Sequence, residues 1–414
     1  MVPRRAVASM AAFFLLSYST LARQQPNTNL GKDANGNSLR LAVKTGHISN
    51  YDESKVKPYT LPDPLVLVGG KRVRDAQTWT KARRPEIVRL YETGIFGRIP
   101  PKTPKVTWQT VPIRGFVPET TTDMALAVGK IGDGQDAPKM NVMLYTPAQA
   151  RGPVPVILLL NFGGGGAAVA EPPVAADIIA HGWGYVTVGY QDIQPDKINT
   201  FDRGVIGAMG RAPAADEWGA IGAWAWGVSR IIDYLQTDRR VDAKRIALHG
   251  HSRLGKTALW ASALDDRIAA VYASCPGEMG AALSRRDFGE TVDDMAQNFP
   301  YWFAGSFQKW VGRWNDMPVD AHMLIALSAP RPVFITGGTQ DQWADPAGEF
   351  LAEVAAGPVY RLLGKRDLGA DRLPPLDTPL LGGDLAWYYH TGPHAATEAD
   401  WRVFLRFLEK YFAG

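Results

Sequence analysis

Among 414 residues there is one cysteine, Cys275, so no intramolecular disulfide can staple this chain. Neither sign of charge is in excess: 45 Lys and Arg stand against 41 Asp and Glu, a net +4. That balance supplies no electrostatic footprint for nucleic acid or for an anionic membrane surface. Long apolar runs are missing too, since the stretch from Ala6 to Leu16 falls short of the ~20 residues a membrane span needs. No repeat of solenoid or propeller length is visible. The four glycines Gly163 to Gly166 suggest a phosphate cradle, but no Gly-Lys-Ser/Thr follows them, which excludes nucleotide binding. His249 and His251 share a strand face as an H-x-H pair, yet no third ligand stands near them at metal-binding spacing. Neither a metal nor a cofactor is therefore expected.

What is present is ordinary globular composition, 46% hydrophobic and 21% charged, with 42 Gly and 30 Pro spread along the chain as turn formers. Arg4 and Arg5, the apolar run, and the small residues Thr20 and Ala22 together read as a cleaved secretory signal over residues 1–22. Its removal takes two arginines and no acid, so the small positive balance shrinks further. Export without a disulfide points to a bacterial envelope or secreted enzyme, periplasmic or extracellular.

Residues 23–65 are polar and Pro-containing and are expected to wrap the surface or start as a loose arm. Apolar positions at helical spacing predict a helix from Arg84 to Phe96. Short alternating runs between Lys105 and Tyr145 suit antiparallel edge strands. From residue 154 the runs become almost wholly apolar: 154–160, 185–190, 245–250, 268–274 and 332–337. Strands buried on both faces look like this. Helical stretches fall between and after them, at Trp218 to Leu235, Leu254 to Leu264, Ala347 to Ala355 and Glu398 to Phe412. The alternation predicts one α/β domain over 23–414, a three-layer sandwich on a mostly parallel central sheet. Residues 23–150 should extend that sheet, and 276–325, rich in Trp, Phe and Met, should form an insertion shaping a cleft.

The strongest chemical signal is Gly250-His251-Ser252-Arg253-Leu254-Gly255, where a strand runs into a helix. A serine on such a turn is exposed at the carboxyl edge of the sheet, and the helix N-terminus can stabilise an oxyanion. The usual second glycine is displaced by one, Leu254 standing in its place. A Gly-Ser turn can also serve only as a helix cap. A nucleophile needs a base and an orienting acid, which in this architecture follow in the order Ser, acid, His. Asp341 starts the loop after 332–337, whereas Asp345, before a proline, suits a cap or turn. His394 lies just before the last helix, and His390, closing an aromatic run, suits a packed position. Cys275, at an apolar strand end, reads as a small buried hydrophobe.

The run GHSRLGK resembles the elbow of carbohydrate esterase family 15, the glucuronoyl esterases, which reads G-C/H-S-R-x-G-K. The likeness extends from residues 83–100 through LNFGGGG, GAALSRRDFGE and QDQWADPAGEF to HTGPH. It implies an α/β-hydrolase that cleaves esters between 4-O-methyl-glucuronic acid on xylan and lignin alcohols. Its partners would be glucuronoxylan and lignin–carbohydrate esters, with no nucleic acid, and the enzyme would act as a monomer without a membrane span. Carried over, Ser252 is the nucleophile, His394 the base, and Arg253 the helper of the oxyanion hole. Lys256 and Trp343 match sugar-binding positions, as do Glu290 and Asn298, where fungal members carry Gln and then Glu. At Cys275 fungal members place the triad glutamate; a thiol cannot serve as that orienting charge. The acid must then come from elsewhere, and Asp341 stands where many bacterial members have it, ahead of Glu278. An esterase for acetyl or feruloyl xylan, and a non-catalytic sugar-binding protein on the same fold, are the competing readings.

Overall fold

The structure, a computed structural model, describes residues 28–113, 122–166 and 169–412. The expected signal over 1–22 lies outside the described residues. Three short strands, β1 (Asn29–Lys32), β2 (Ser38–Ala42) and β3 (His47–Ile48), form a small antiparallel sheet. The main sheet is built from β4 (Val106–Ile113), β5 (Thr122–Ile131), β6 (Lys139–Pro147), β7 (Val154–Asn161), β8 (Gly184–Gly189), β9 (Val241–His251), β10 (Ile268–Ser274), β11 (Val333–Gly338) and β12 (Leu385–His390). Their spatial order is β12-β11-β10-β9-β7-β8-β6-β5-β4. The first six are mutually parallel, and β6, β5 and β4 continue antiparallel. The principal helices are α1 (Arg84–Gly94), α2 (Ala220–Leu235), α3 (Arg253–Leu264), α4 (Val292–Asn298), α5 (Pro346–Leu362) and α6 (Glu398–Phe412).

The continuous apolar runs are explained by two cores, one on each face of the sheet. On β7, Val156, Leu158 and Leu160 enter the core shared with α1, α2, α3 and α5, while Ile157 and Leu159 enter the one under α6. The same alternation holds on β9, where Ile246 and Leu248 face one way and Ala247 the other. Side chains of a strand point to opposite faces, so two covered faces require every position to be apolar. Along α6, Trp401, Phe404, Leu405 and Leu408 recur at helical spacing and close the second core.

Two expectations are corrected here. Residues 106–147 do extend the main sheet, but residues 29–48 do not join it; they form the separate small sheet. β2 is seated against α4 instead, with Gln297 bonded to the backbone of Leu41 and Val43. The helix expected to stop at Ala355 runs on to Leu362 through Pro358. Burial of Ala356, Val359 and Tyr360 on its inner face outweighs the hydrogen bond that the proline removes.

Candidate active site

β9 delivers Ser252 at a sharp turn into α3, with φ 58° and ψ −126°, a backbone conformation rare for a side-chain-bearing residue. Strain of this kind, worth about 1–3 kcal/mol, persists only where the surroundings enforce it. Here the Ser252 N–H donates to the Ser274 carbonyl at 2.8 Å, and the Gly255 N–H returns to the Ser252 carbonyl at 2.8 Å. A Cβ on Gly250 would lie 2.0 Å from the Leu254 carbonyl, so the turn closes only with glycine there. Leu254 at the usual second-glycine position points into the core, fully buried.

Asp341 follows β11 and His394 follows β12, the neighbouring strand. Backbone bonds from Thr339 and Gln340 to the carbonyls of His390 and Gly392 tie the two loops together. His390 is packed, as expected: its Nδ1 meets Asp400 at 2.9 Å and its Nε2 meets the Pro393 carbonyl at 3.0 Å, bracing the loop that bears His394. His394 Nδ1 then lies 2.5 Å from Asp341 Oδ2, a short charge-assisted contact, with Asp341 only 5% exposed. The rival acids are engaged elsewhere. Glu278 accepts from the Ser284 hydroxyl at 2.6 Å, and Asp345 caps α5 through Gly348 while pairing with Arg286 at 2.8 Å.

Ser252, Arg253, Lys256, Glu290, Asp341, Trp343 and His394 all line one cleft of about 450 Å³. Asn298 does not. It is the last, exposed residue of α4, whose neighbours Met295 and Phe299, one turn apart, face the cleft instead. Glu290 precedes α4, whose start is fixed by the reciprocal Thr291–Asp294 cap, and its N–H donates to the Trp343 carbonyl at 2.8 Å. Burial raises the Glu290 carboxyl to about 7 against the opposing pull of the Lys256 charge. Lys256, 4% exposed, donates from Nζ to the Pro276 carbonyl at 2.7 Å, and burial pulls its ammonium down.

Arg253 is held by a residue the sequence reading missed. Asp196, in the loop after β8, pairs with the guanidinium at 2.5 Å and accepts from Tyr190, Tyr301 and Trp302. The guanidinium lies 4.7 Å over the Trp302 ring. Its Nε–H is buried without an acceptor among the described residues. Arg40 and Tyr51, from the supposed loose arm, also line the cleft, and Arg40 stacks 5.0 Å over Trp343. No local signal marks them, because their contacts lie some three hundred residues away in sequence. His249 and His251 are packed ring residues, both held near 3 by burial, and His251 sits 4.5 Å from the His394 ring. Cys275 is buried as expected, but it also edges the cleft, with φ 44°, and burial pushes its thiol well up.

A model of the family described as glucuronyl esterase, fungi, matches residues 130–364. Carbohydrate esterase MZ0003, from an unknown prokaryotic organism, is 37% identical over 88% of this chain and 92% of its own. The chain belongs to the glucuronyl esterase family. It is a carboxylic ester hydrolase with the α/β-hydrolase fold. A solved glucuronoyl esterase from Solibacter usitatus is similar at TM-score 0.81 and 38% identity, covering 87% of this chain and 100% of that one. Another, from Teredinibacter turnerae, gives TM-score 0.80 at 35% identity over 88% and 93% of the two chains. A 4-O-methyl-glucuronoyl methylesterase of Cerrena unicolor is 29% identical over 77% of this chain, which spans 64% of that protein's length. No helix among the described residues is long and apolar enough to cross a membrane.

Proposed function

We propose that this esterase hydrolyses glucuronic acid esters of the kind joining 4-O-methyl-glucuronoxylan to lignin alcohols, through an acyl-enzyme on Ser252. The observation that carries the reading is the His394–Asp341 contact at 2.5 Å in the same cleft as the strained Ser252. His394 takes the serine proton and returns it to the leaving alcohol, and Asp341 fixes its tautomer and balances the imidazolium. Charge develops on the carbonyl oxygen as the serine attacks. Arg253 and the first turn of α3 answer it, and the Asp196 pair over Trp302 keeps the guanidinium from swinging away.

A uronate sugar fits the remaining wall. Lys256, Glu290 and Trp343 offer a charged donor, a carboxyl and a flat aromatic face, the combination that holds a sugar's hydroxyls and ring. Relatives named 4-O-methyl-glucuronoyl methylesterases support the same substrate class. A broader ester range is the second reading, favoured by a 37%-identical structural neighbour described as a promiscuous esterase from a marine bacterial metagenome. Export, by the leader-like residues 1–22, and one catalytic domain acting as a monomer complete the proposal. Comparing the benzyl ester of glucuronic acid with an acetylated xylose separates the readings. The uronate ester should be hydrolysed at least ~100-fold more efficiently, a discrimination that one or two charge-assisted hydrogen bonds supply; equal rates would sink the uronate assignment.

A further inference from the structure

Cys275, Asp341 and His394 bring a sulfur, a carboxylate oxygen and an imidazole nitrogen within 4.8 Å of one another. They arrive on three separate segments, the ends of β10, β11 and β12, at the carboxyl edge of the sheet. Two of the three groups are buried, and the trio edges the solvent-reached cleft. The sulfur is only weakly engaged, 3.8 Å from the Ser274 hydroxyl and 3.8 Å from the Ala395 carbonyl. Thiolate, imidazole and carboxylate are the donor types that Zn²⁺ and other borderline-soft divalent ions select, and three such ligands leave a fourth position open to water.

We propose that this trio is an inhibitory site for a borderline-soft divalent cation, typified by Zn²⁺. Bonds of about 2.0–2.3 Å around a tetrahedral ion put its ligands roughly 3.3–3.7 Å apart, so the His394–Asp341 pair, now at 2.5 Å, opens by about 1 Å while the sulfur draws in from within 4.8 Å. The balance is simple. The thiol's S–H bond breaks, an S–Zn bond forms, the proton passes to bulk water, and the ion sheds hydration waters; nothing is oxidised or reduced. His394 Nδ1 and an Asp341 oxygen fill two further positions; the Nδ1 proton moves to Nε2 by exchange with water, freeing the lone pair, and the hydrogen bond between those residues is lost. Hard ions such as Mg²⁺, which prefer oxygen donors, have no comparable hold here. Binding itself follows from the trio alone; only its inhibitory consequence rests on the roles proposed for His394 and Asp341.

The direct test titrates the Ser252→Ala protein with Co²⁺ as a spectroscopic stand-in for Zn²⁺. A near-ultraviolet thiolate-to-cobalt charge-transfer band should grow to one equivalent, vanish on adding Zn²⁺, and be absent from Ser252→Ala/Cys275→Ala. In the unaltered enzyme, buffered micromolar Zn²⁺ should lower turnover at least ~tenfold, EDTA should restore it, and Mg²⁺ should do nothing. Cys275→Ala, measured against its own metal-free rate, should lose less than ~twofold. Absence of the band, or equal Zn²⁺ inhibition in Cys275→Ala, overturns the proposal. Because the band needs no turnover, a failure of the ester-cleavage reading would show separately.

Discussion

Replacing Asp341 by Asn removes one charge and almost no volume, which makes it the sharpest perturbation of the proposed acid. In the proposed mechanism His394 becomes an imidazolium in the transition state, with its Nδ1 2.5 Å from an Asp341 oxygen. Unit charges centred about 4 Å apart attract by ~4 kcal/mol at an effective dielectric near 20. Loss of that term alone is worth about three powers of ten in rate. The amide can also present its NH₂ to the ring and favour the wrong tautomer, taking the total to roughly 10⁴. The assay is kcat on the benzyl ester of glucuronic acid, with melting temperature recorded to show that the fold survives. Glu278→Gln and Asp345→Asn are the controls. Both acids already have partners away from His394, so these variants should lower stability while leaving kcat within about threefold. Near-normal kcat in Asp341→Asn, with either control dead, would refute the assignment.

Lys256→Met should weaken glucuronate esters about ten- to a hundredfold more than aryl acetates, since only the sugar ester has hydroxyls for the ammonium; equal losses would mark Lys256 as purely structural. Arg253→Ala should lower kcat by about 10²–10³ on both substrate types, because both develop the same oxyanion. Glu290, raised to about 7, is neutral below that pH and ionised above it, and the ionised form is the stronger acceptor for sugar hydroxyls. Binding of the uncharged methyl ester of glucuronic acid to Ser252→Ala should therefore tighten as pH rises through 7, and calorimetry on Ser252→Ala/Glu290→Gln should find that dependence gone. Gly250→Ala, with its new carbon driven onto the Leu254 carbonyl, should abolish soluble expression or activity.

The parts of the site legible in sequence are those whose chemistry is local. The elbow is a contiguous strand–Ser–helix signal, Asp341 starts the loop after an apolar run, and His394 lies just before the amphipathic last helix. β5 and β12 were not singled out as strands. β12 is six residues of mostly aromatic character, equally compatible with a packed helix end, and β5 mixes Lys130 and Asp123 into its alternation. Asn298 falls outside the cleft lining because a resemblance gives a position in the chain, whereas one step along a helix turns a side chain by about 100°. Asp196, Arg40 and Tyr51 were invisible for another reason. Their meaning lies in contacts with Arg253 and Trp343, which only the fold creates. Cys275 is legible as a buried thiol from its apolar strand end, and as a neighbour of His394 only through the resemblance that puts the fungal triad acid there.

The central claim is that Ser252 carries the acyl group of a glucuronate ester. Its most direct test is turnover of the benzyl ester of glucuronic acid by Ser252→Ala beside the unaltered enzyme, with glucuronate binding measured on both. The account predicts that turnover falls by at least ~10⁴ while binding stays within about threefold. Turnover near the unaltered rate in Ser252→Ala would contradict it, because the nucleophile would then be another residue.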